Sequence, residues 1–462
     1  MNPSKTRMKK ILFYLILLCT PLAFANISLP AIFGNHMVLQ QNTEITLWGW
    51  GDPLEKVHVS SSWADNVYEL ETDNYGKWKV ILATPHAGGP YSISIKGYNE
   101  ISLNDVLIGE VWLCSGQSNM AWSAASGITD SAAEIAKSTV PELRFFKVEK
   151  RAADHPQIDV VGKWEVCTPG SMQYFSAVAY FFGKELTGKL KVPVGLILSA
   201  WGGTPAEAWI PEEVFKEDQK LKSSAAMMKE TPWGPHKPSQ TFNGMLAPLT
   251  QTKLAGALWY QGEDNTVNPG DYKAIFKALI LSWRAKWNAD LPFYFVQIAP
   301  YNYGDGFTGV LVRDAQRRVR RETPKTGMVV SSDIGDIVDI HPKNKKDVGL
   351  RLANLALQKT YKKYDQLMEG PYYSAITVQK DKAIVNFEMA EGLYFSNKEQ
   401  LFELAGEDNI FYPAFAKIKG NRVEVISKKV KVPVAVRFAW ANTSISNLFN
   451  SANLPASSFT SE

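Results

Sequence analysis

Four short stretches of the chain hold the residue types that ester chemistry needs. Ser118 lies in "SGQSNM", a Gly202-Gly203 pair in "AWGGTPAEAW", Gln261 in "WYQGEDN" and His341 in "SSDIGDIVDIHP". A serine hydroxyl becomes a nucleophile only when a base takes its proton. The His341 imidazole titrates near neutral pH and is the candidate base. A carboxylate usually fixes such a histidine's tautomer. Asp339 is nearest in sequence, with Asp336 and Asp333 close by. A developing oxyanion needs preorganised N–H donors. The backbone of Ser118 and of Gly203 or Gly202, and the Gln261 amide, are suitable.

Each piece also has a plainer reading. A serine at a strand end is more often a helix cap, and a Gly-Gly pair is usually a turn. Glu263 and Asp264 are either loop charge or the paired carboxylates of a glycosidase. The other histidines, His36, His58, His86, His155 and His236, read as structural. A glycan-binding protein on an inactive hydrolase fold is the non-enzymatic alternative.

The candidates gain weight from the elements that must carry them. From about residue 106 to 365, apolar strands ("VLIGEVWL", "VPVGLILSA", "LAGALWYQ", "PFYFVQIAP", "GMVVSSD") alternate with helical stretches such as "FSAVAYFFGKEL" and "YKAIFKALILSWRAKW". Near-continuous apolar strands with intervening helices predict a parallel sheet covered on both faces. Ligands of such sheets bind beyond the carboxyl ends of the strands. The serine, the glycine pair, the glutamine and the histidine all fall there. The joint placement raises the serine-hydrolase reading, although the motif is not the G-x-S-x-G elbow.

Residues 26–105 and 366–462 alternate with period two between Gly, Asn and Asp turns. Each predicts a small all-β region. Residues 1–25 read as an export signal: Lys5, Arg7, Lys9 and Lys10, an apolar run too short to span a bilayer, and Ala23-Phe24-Ala25 before a mature start at Asn26. An exported protein, periplasmic or secreted, is therefore expected.

The formal net charge of +4 belongs to that leader. The remainder is about neutral, which argues against a nucleic-acid partner. No other run reaches transmembrane length, so no stable membrane insertion is expected. There is no C-x-x-C pair and no H-E-x-x-H, so no metal site is expected. Cys114 and Cys167 read as buried free thiols, with a disulfide as the alternative. Most of the 14 Trp residues should be core. Arg313, Arg317, Arg318, Arg320 and Arg321 in "VRDAQRRVRR" read mostly as a solvated helix face, with one Arg free to meet an anionic substrate. Oligomeric state leaves no mark on the sequence.

"GEVWLCSGQSNMAW", "AWGGTPAEAW", "WYQGEDN" and "DIHPKNKKDVGLRLA", together with the opening "LPAIFGNHMVLQQ", resemble the sialate O-acetylesterases of the wider SGNH (GDSL-like) hydrolases. The likeness spans nearly all of the chain after residue 25. It implies an α/β fold with an SGNH-hydrolase-like parallel sheet, flanked by small β domains at both ends. It also implies a cofactor-free carbohydrate O-acetylesterase working through an acetyl-enzyme. O-acetylated sialic acid is the expected substrate; acetylated xylan or pectin are alternatives. Ser118 would be the nucleophile and His341 the base, with Ser118, Gly203 and Gln261 forming the oxyanion hole and Gly202 one residue away. The SGNH pattern places an Asp three residues before the histidine. Val338 stands there, so Asp339 is the expected partner of His341, with Asp336 or a Ser–His dyad as alternatives.

Overall fold

The computed structural model describes residues 26–462; the expected leader lies outside them. Six strands come first: β1 (Val38–Gln40), β2 (Thr43–Trp50), β3 (Lys56–Ser61), β4 (Ala64–Glu71), β5 (Lys77–Thr84) and β6 (Gly88–Lys96). Their inward residues alternate with exposed ones, clearest in β5, where Trp78, Val80 and Leu82 are buried between exposed lysines, isoleucine and alanine. The next strand, β7 (Glu100–Gly116), is long. Its first half pairs antiparallel with β6, and Leu107–Gly109 pairs parallel with β1. Its second half is buried throughout and enters a different set of neighbours. The first β region and the α/β region thus share one strand.

β8 (Val140–Lys147), β9 (Trp164–Cys167), β10 (Val194–Ala200), β11 (Gly256–Tyr260), β12 (Phe293–Val296) and β13 (Thr326–Val329) complete the large mixed sheet, in the order β13-β12-β11-β7-β10-β8-β9. All these pairings are parallel except β8 with β9. The β8–β9 hairpin is not anticipated by the sequence reading, because "VPELRFFK" begins with proline and charge.

Helix α1 (Ser118–Ala121) is a single turn; α2 (Ala177–Leu190), α3 (Tyr272–Trp287), α4 (Thr308–Glu322) and α5 (Lys345–Lys359) are long. In α3, Tyr272, Phe276, Leu279, Trp283 and Trp287 recur at helical spacing and are buried. Phe182 and Leu186 of α2 and Leu352 and Leu355 of α5 share one core with Leu196, Leu198 and Val296. Leu279 and Trp283 of α3 and Val312 of α4 join a second core with Phe293 and Phe295. The sheet is therefore covered on both faces.

Among the described residues, a third core belongs to a seven-stranded antiparallel sheet running from Tyr372–Gln379 to Phe459–Thr460. It docks on α4, and the arginines expected on a solvated face are what hold it. Arg313 and Arg317 are 1% and 3% exposed. Arg313 donates to the carbonyls of Ala441 (2.5 Å) and Asn442 (3.1 Å), and Arg317 to that of Thr460 (3.4 Å). Arg320 pairs with Glu369 and Glu388. Arg318 reaches the Glu462 carbonyl, and only Arg321 is exposed. A helical charge stripe reads the same whether water or carbonyl oxygens receive it. Here the carbonyls are 128 to 144 residues further along the chain.

Candidate active site

β7 lies at the centre of the sheet with β10 on one side and β11 on the other, the place where chain order reverses. The register levels the three strand ends: Gly116 faces Ala200 and Tyr260. Everything that follows these residues emerges side by side. Gly116 has φ +135, and a Cβ there would collide with the Tyr260 carbonyl, so glycine is required. The Gln117 N–H donates to the Tyr260 carbonyl at 3.0 Å, and its side-chain oxygen accepts from the Gly262 N–H at 3.2 Å. These bonds bind the turn before Ser118 to the end of β11.

Ser118 opens α1 and is half-buried. Its Oγ lies 2.9 Å from His341 Nε2. The imidazole is stacked on Trp122, with centroids 4.2 Å apart at 16°. Burial, and then the nearby charge of Lys345, hold its pKa below the usual histidine range, while Asp339 opposes them. A neutral imidazole facing a hydroxyl can act as a base.

The three candidate acids separate clearly. Asp333 is consumed by a two-pronged pair with Arg351, at 2.6 and 2.8 Å. Asp336 is exposed and caps its own loop through the Val338 N–H. Asp339 accepts from the His341 backbone N–H at 2.9 Å, and its carboxylate is 3.9 Å from His341 Nδ1. That is too long for a hydrogen bond, but close enough for its charge to act on the ring.

Gly202 and Gly203 turn beside the serine. A Cβ on Gly202 would come within 3.0 Å of the Ser118 Cβ, and Gly203 has φ +67. Gln261 is placed differently from the expectation. It is fully buried, and its Nε2 donates to the Thr204 carbonyl (3.3 Å) and to Asn265 Oδ1 (2.7 Å). Its amide hydrogens are thus committed inside the protein and none points to the space at Ser118. Gln261 holds the residue after Gly203 in place instead.

Asn119 and Lys345 carry weight that the sequence reading did not assign. Asn119 Nδ2 donates to Glu263 Oε1 (2.6 Å) and to the Ile340 carbonyl (2.9 Å), while Lys345 Nζ donates to Asn119 Oδ1 (2.5 Å). All three side chains are buried. Burial pushes the Lys345 ammonium down to about 7 and the Glu263 carboxyl up. The only signal in sequence is that Asn119 adjoins Ser118 and Lys345 follows His341 by one helical turn. Asp264, meanwhile, pairs with buried His236 at 2.9 Å. Glu263 and Asp264 therefore serve two different partners, not one glycosidic bond. Cys114 and Cys167 are both buried free thiols.

A family model described as carbohydrate esterase, sialic acid-specific acetylesterase matches residues 108–358. The chain belongs to that family. The esterase is 30% identical to the sialate O-acetylesterase of Pongo abelii over 411 residues, covering 80% of this chain and 78% of the relative. It is 29% identical to that of Homo sapiens, with the same coverage. A crystal structure of a carbohydrate acetylesterase from Xanthomonas citri superposes with a TM-score of 0.86 at 35% identity. The match covers 94% of this esterase and 99% of that chain. The family match runs from the buried half of β7 to the end of α5. In the esterase it therefore takes in the three levelled strand ends, Ser118 and the loop that carries His341.

Proposed function

We propose that this carbohydrate esterase removes acetyl groups from sugars, O-acetylated sialic acid foremost, through an acetyl-enzyme on Ser118. The observation that carries the reading is the 2.9 Å approach of Ser118 Oγ to His341 Nε2 at the carboxyl end of β7. His341 takes the serine proton as Oγ attacks the acetyl carbonyl carbon. The carbonyl π pair moves to oxygen, and the backbone N–H groups of Ser118 and Gly203, with Gly202 as the neighbouring choice, receive the oxyanion. The intermediate collapses as the C–O bond to the sugar breaks. His341 protonates the departing sugar oxygen, and water then releases acetate by the same proton traffic in reverse.

Asp339 acts on this cycle through its charge, favouring the imidazolium that forms in each step. Gln261 acts through the Thr204 carbonyl, keeping the glycine turn against Ser118. The sheet order and the catalytic pair fit an SGNH-type hydrolase. The sialate preference follows the curated relatives' names. The Xanthomonas citri relative carries the broader description of a carbohydrate acetylesterase, so a neutral sugar ester is the comparison substrate. We also read the protein as exported; N-terminal sequencing of material from the periplasm or medium should begin at Asn26.

The test is acetate release from an O-acetylated sialoglycan and from acetylated xylan, by wild type and Ser118→Ala. Release from the sialoglycan that vanishes in the variant supports nucleophile and substrate class together. Preference for xylan keeps the mechanism and changes the substrate. Release that survives the substitution overturns the serine mechanism.

A further inference from the structure

Among the described residues, Trp233 is the one Trp that is exposed, at 74%; nine of the other thirteen are buried. An indole left in water forgoes a large apolar burial. In a slack loop that would mean little, but the backbone around Trp233 is pinned on several sides. The Trp233 carbonyl accepts from Trp201 Nε1–H at 3.1 Å. The Gly234 carbonyl lies 2.8 Å from His236 Nδ1, which must be the donor to a carbonyl oxygen. The other nitrogen of that ring, Nε2, meets Asp264 Oδ2 at 2.9 Å, with the His236 side chain only 5% exposed. Gly234 presses on the Gly202 and Gly203 carbonyls so closely that a Cβ would sit 2.9 and 3.0 Å from them. The loop is fixed and the ring is presented to solvent.

The ring is also presented beside the reaction centre. A Cβ on Gly203 would meet the Trp233 Cβ at 2.5 Å, and a Cβ on Gly202 would meet that of Ser118 at 3.0 Å. Trp233 therefore stands on the same two-residue turn that abuts the nucleophile. Trp201, half-buried, has Lys150 Nζ 5.7 Å from its ring centre. Between Trp201 and Trp233 lies a hollow of about 350 Å³, with Glu230, Thr231 and Gln240 also on its walls. A pyranose offers an apolar C–H face for an indole and a rim of hydroxyls for carboxylate, hydroxyl and amide groups. Aromatic walls with a few polar groups are the usual make-up of such a ligand site.

We propose that Trp233, backed by Trp201, is a sugar-stacking platform that receives a pyranose ring of the acetylated substrate beside Ser118; this rests on the serine-esterase reading above. Its task is to bind and orient the sugar, and the acetyl group's chemistry is left to Ser118 and His341.

The experiment compares wild type, Trp233→Ala, Trp233→Tyr and Ser118→Ala on two esters: an O-acetylated sialoglycoside and p-nitrophenyl acetate, which has no sugar. In Trp233→Ala, KM for the sugar ester should rise by about tenfold. Its kcat should change by less than about twofold, and p-nitrophenyl acetate hydrolysis should be unaltered. Trp233→Tyr should recover most of the loss. An unchanged KM for the sugar ester overturns the platform, as does an equal loss on both esters, which would make Trp233 a support for the glycine turn. A wild type that cleaves p-nitrophenyl acetate and ignores the sugar ester overturns it as well. Failure of the underlying reading looks different: Ser118→Ala would then keep its activity on both esters.

Discussion

Asn119 Nδ2 donates to the Ile340 carbonyl across 2.9 Å. One of these residues follows Ser118 and the other precedes His341. This bond therefore ties the turn that carries Ser118, the proposed nucleophile, to the loop that carries His341, the proposed base, and Lys345 and Glu263 fix the amide that makes it. The brace is buried and joins the two segments that bring Ser118 Oγ within 2.9 Å of His341 Nε2.

Asn119→Ala should leave the substrate-binding surface intact and slacken that separation. Misplacing reacting groups by about an ångström costs on the order of 10²-fold. The expected outcome is a fall of that size in kcat with KM changed less than about threefold, measured by steady-state acetate release. A rise in KM with full kcat would assign Asn119 to substrate binding instead.

The acid limb of the kcat/KM profile should lie below about pH 6.5, the ordinary histidine value, because burial and Lys345 lower the His341 pKa. The two charges near the ring act with opposite sign. Lys345→Met removes a repelling positive charge, so protonation becomes easier and the limb moves to higher pH. Asp339→Asn removes a favourable negative charge, so the limb moves to lower pH. Shifts in the same direction would contradict the placement of these two residues about the imidazole.

Ser118→Ala removes the Oγ that would form the proposed acetyl-enzyme. By analogy with other serine hydrolases, kcat should fall on the order of 10⁶-fold, and covalent labelling by a fluorophosphonate should disappear. The thermal midpoint should barely move, since a half-buried hydroxyl is exchanged for hydrogen.

Arg313→Met should act on stability and not on chemistry. It strands the Ala441 and Asn442 carbonyls that the buried guanidinium satisfies. A hydrogen bond to a charged group contributes about 1.5–3 kcal/mol, so unfolding in urea should come at clearly lower concentration. Arg321→Met, at an exposed position on the same helix, should cost less than about 0.5 kcal/mol. Arg321 makes an exposed contact, 3.3 Å to the Ser374 carbonyl, so equal effects of the two would dissolve the distinction between a buried and an exposed arginine.

The α/β pattern and the strand ends, read at Leu113, Ala200 and Gln261 and lying within three residues of the observed Gly116, Ala200 and Tyr260, were legible in the sequence, as was the nomination of Ser118 and His341 as partners. Buried parallel strands leave long apolar runs, and the small polar residues that interrupt them mark the carboxyl ends where ligands bind. Those signals are local and survive without a fold. The rest depends on residues that meet only after folding. Gln261 has a suitable amide in a suitable place, yet its hydrogens go to Thr204 and Asn265, and no spacing reveals where an amide turns. Asp333, Asp336 and Asp339 look alike as a cluster; Arg351, the loop's own N–H groups and the position of the imidazole tell them apart. Lys345 reads as an ordinary helix charge until it is found dry, 2.5 Å from Asn119 and 226 residues away in sequence. Sequence alone thus determined which chemistry the strand ends could perform. The tertiary structure decided which groups are free to perform it, because hydrogen-bond partners and burial are properties of the packed molecule.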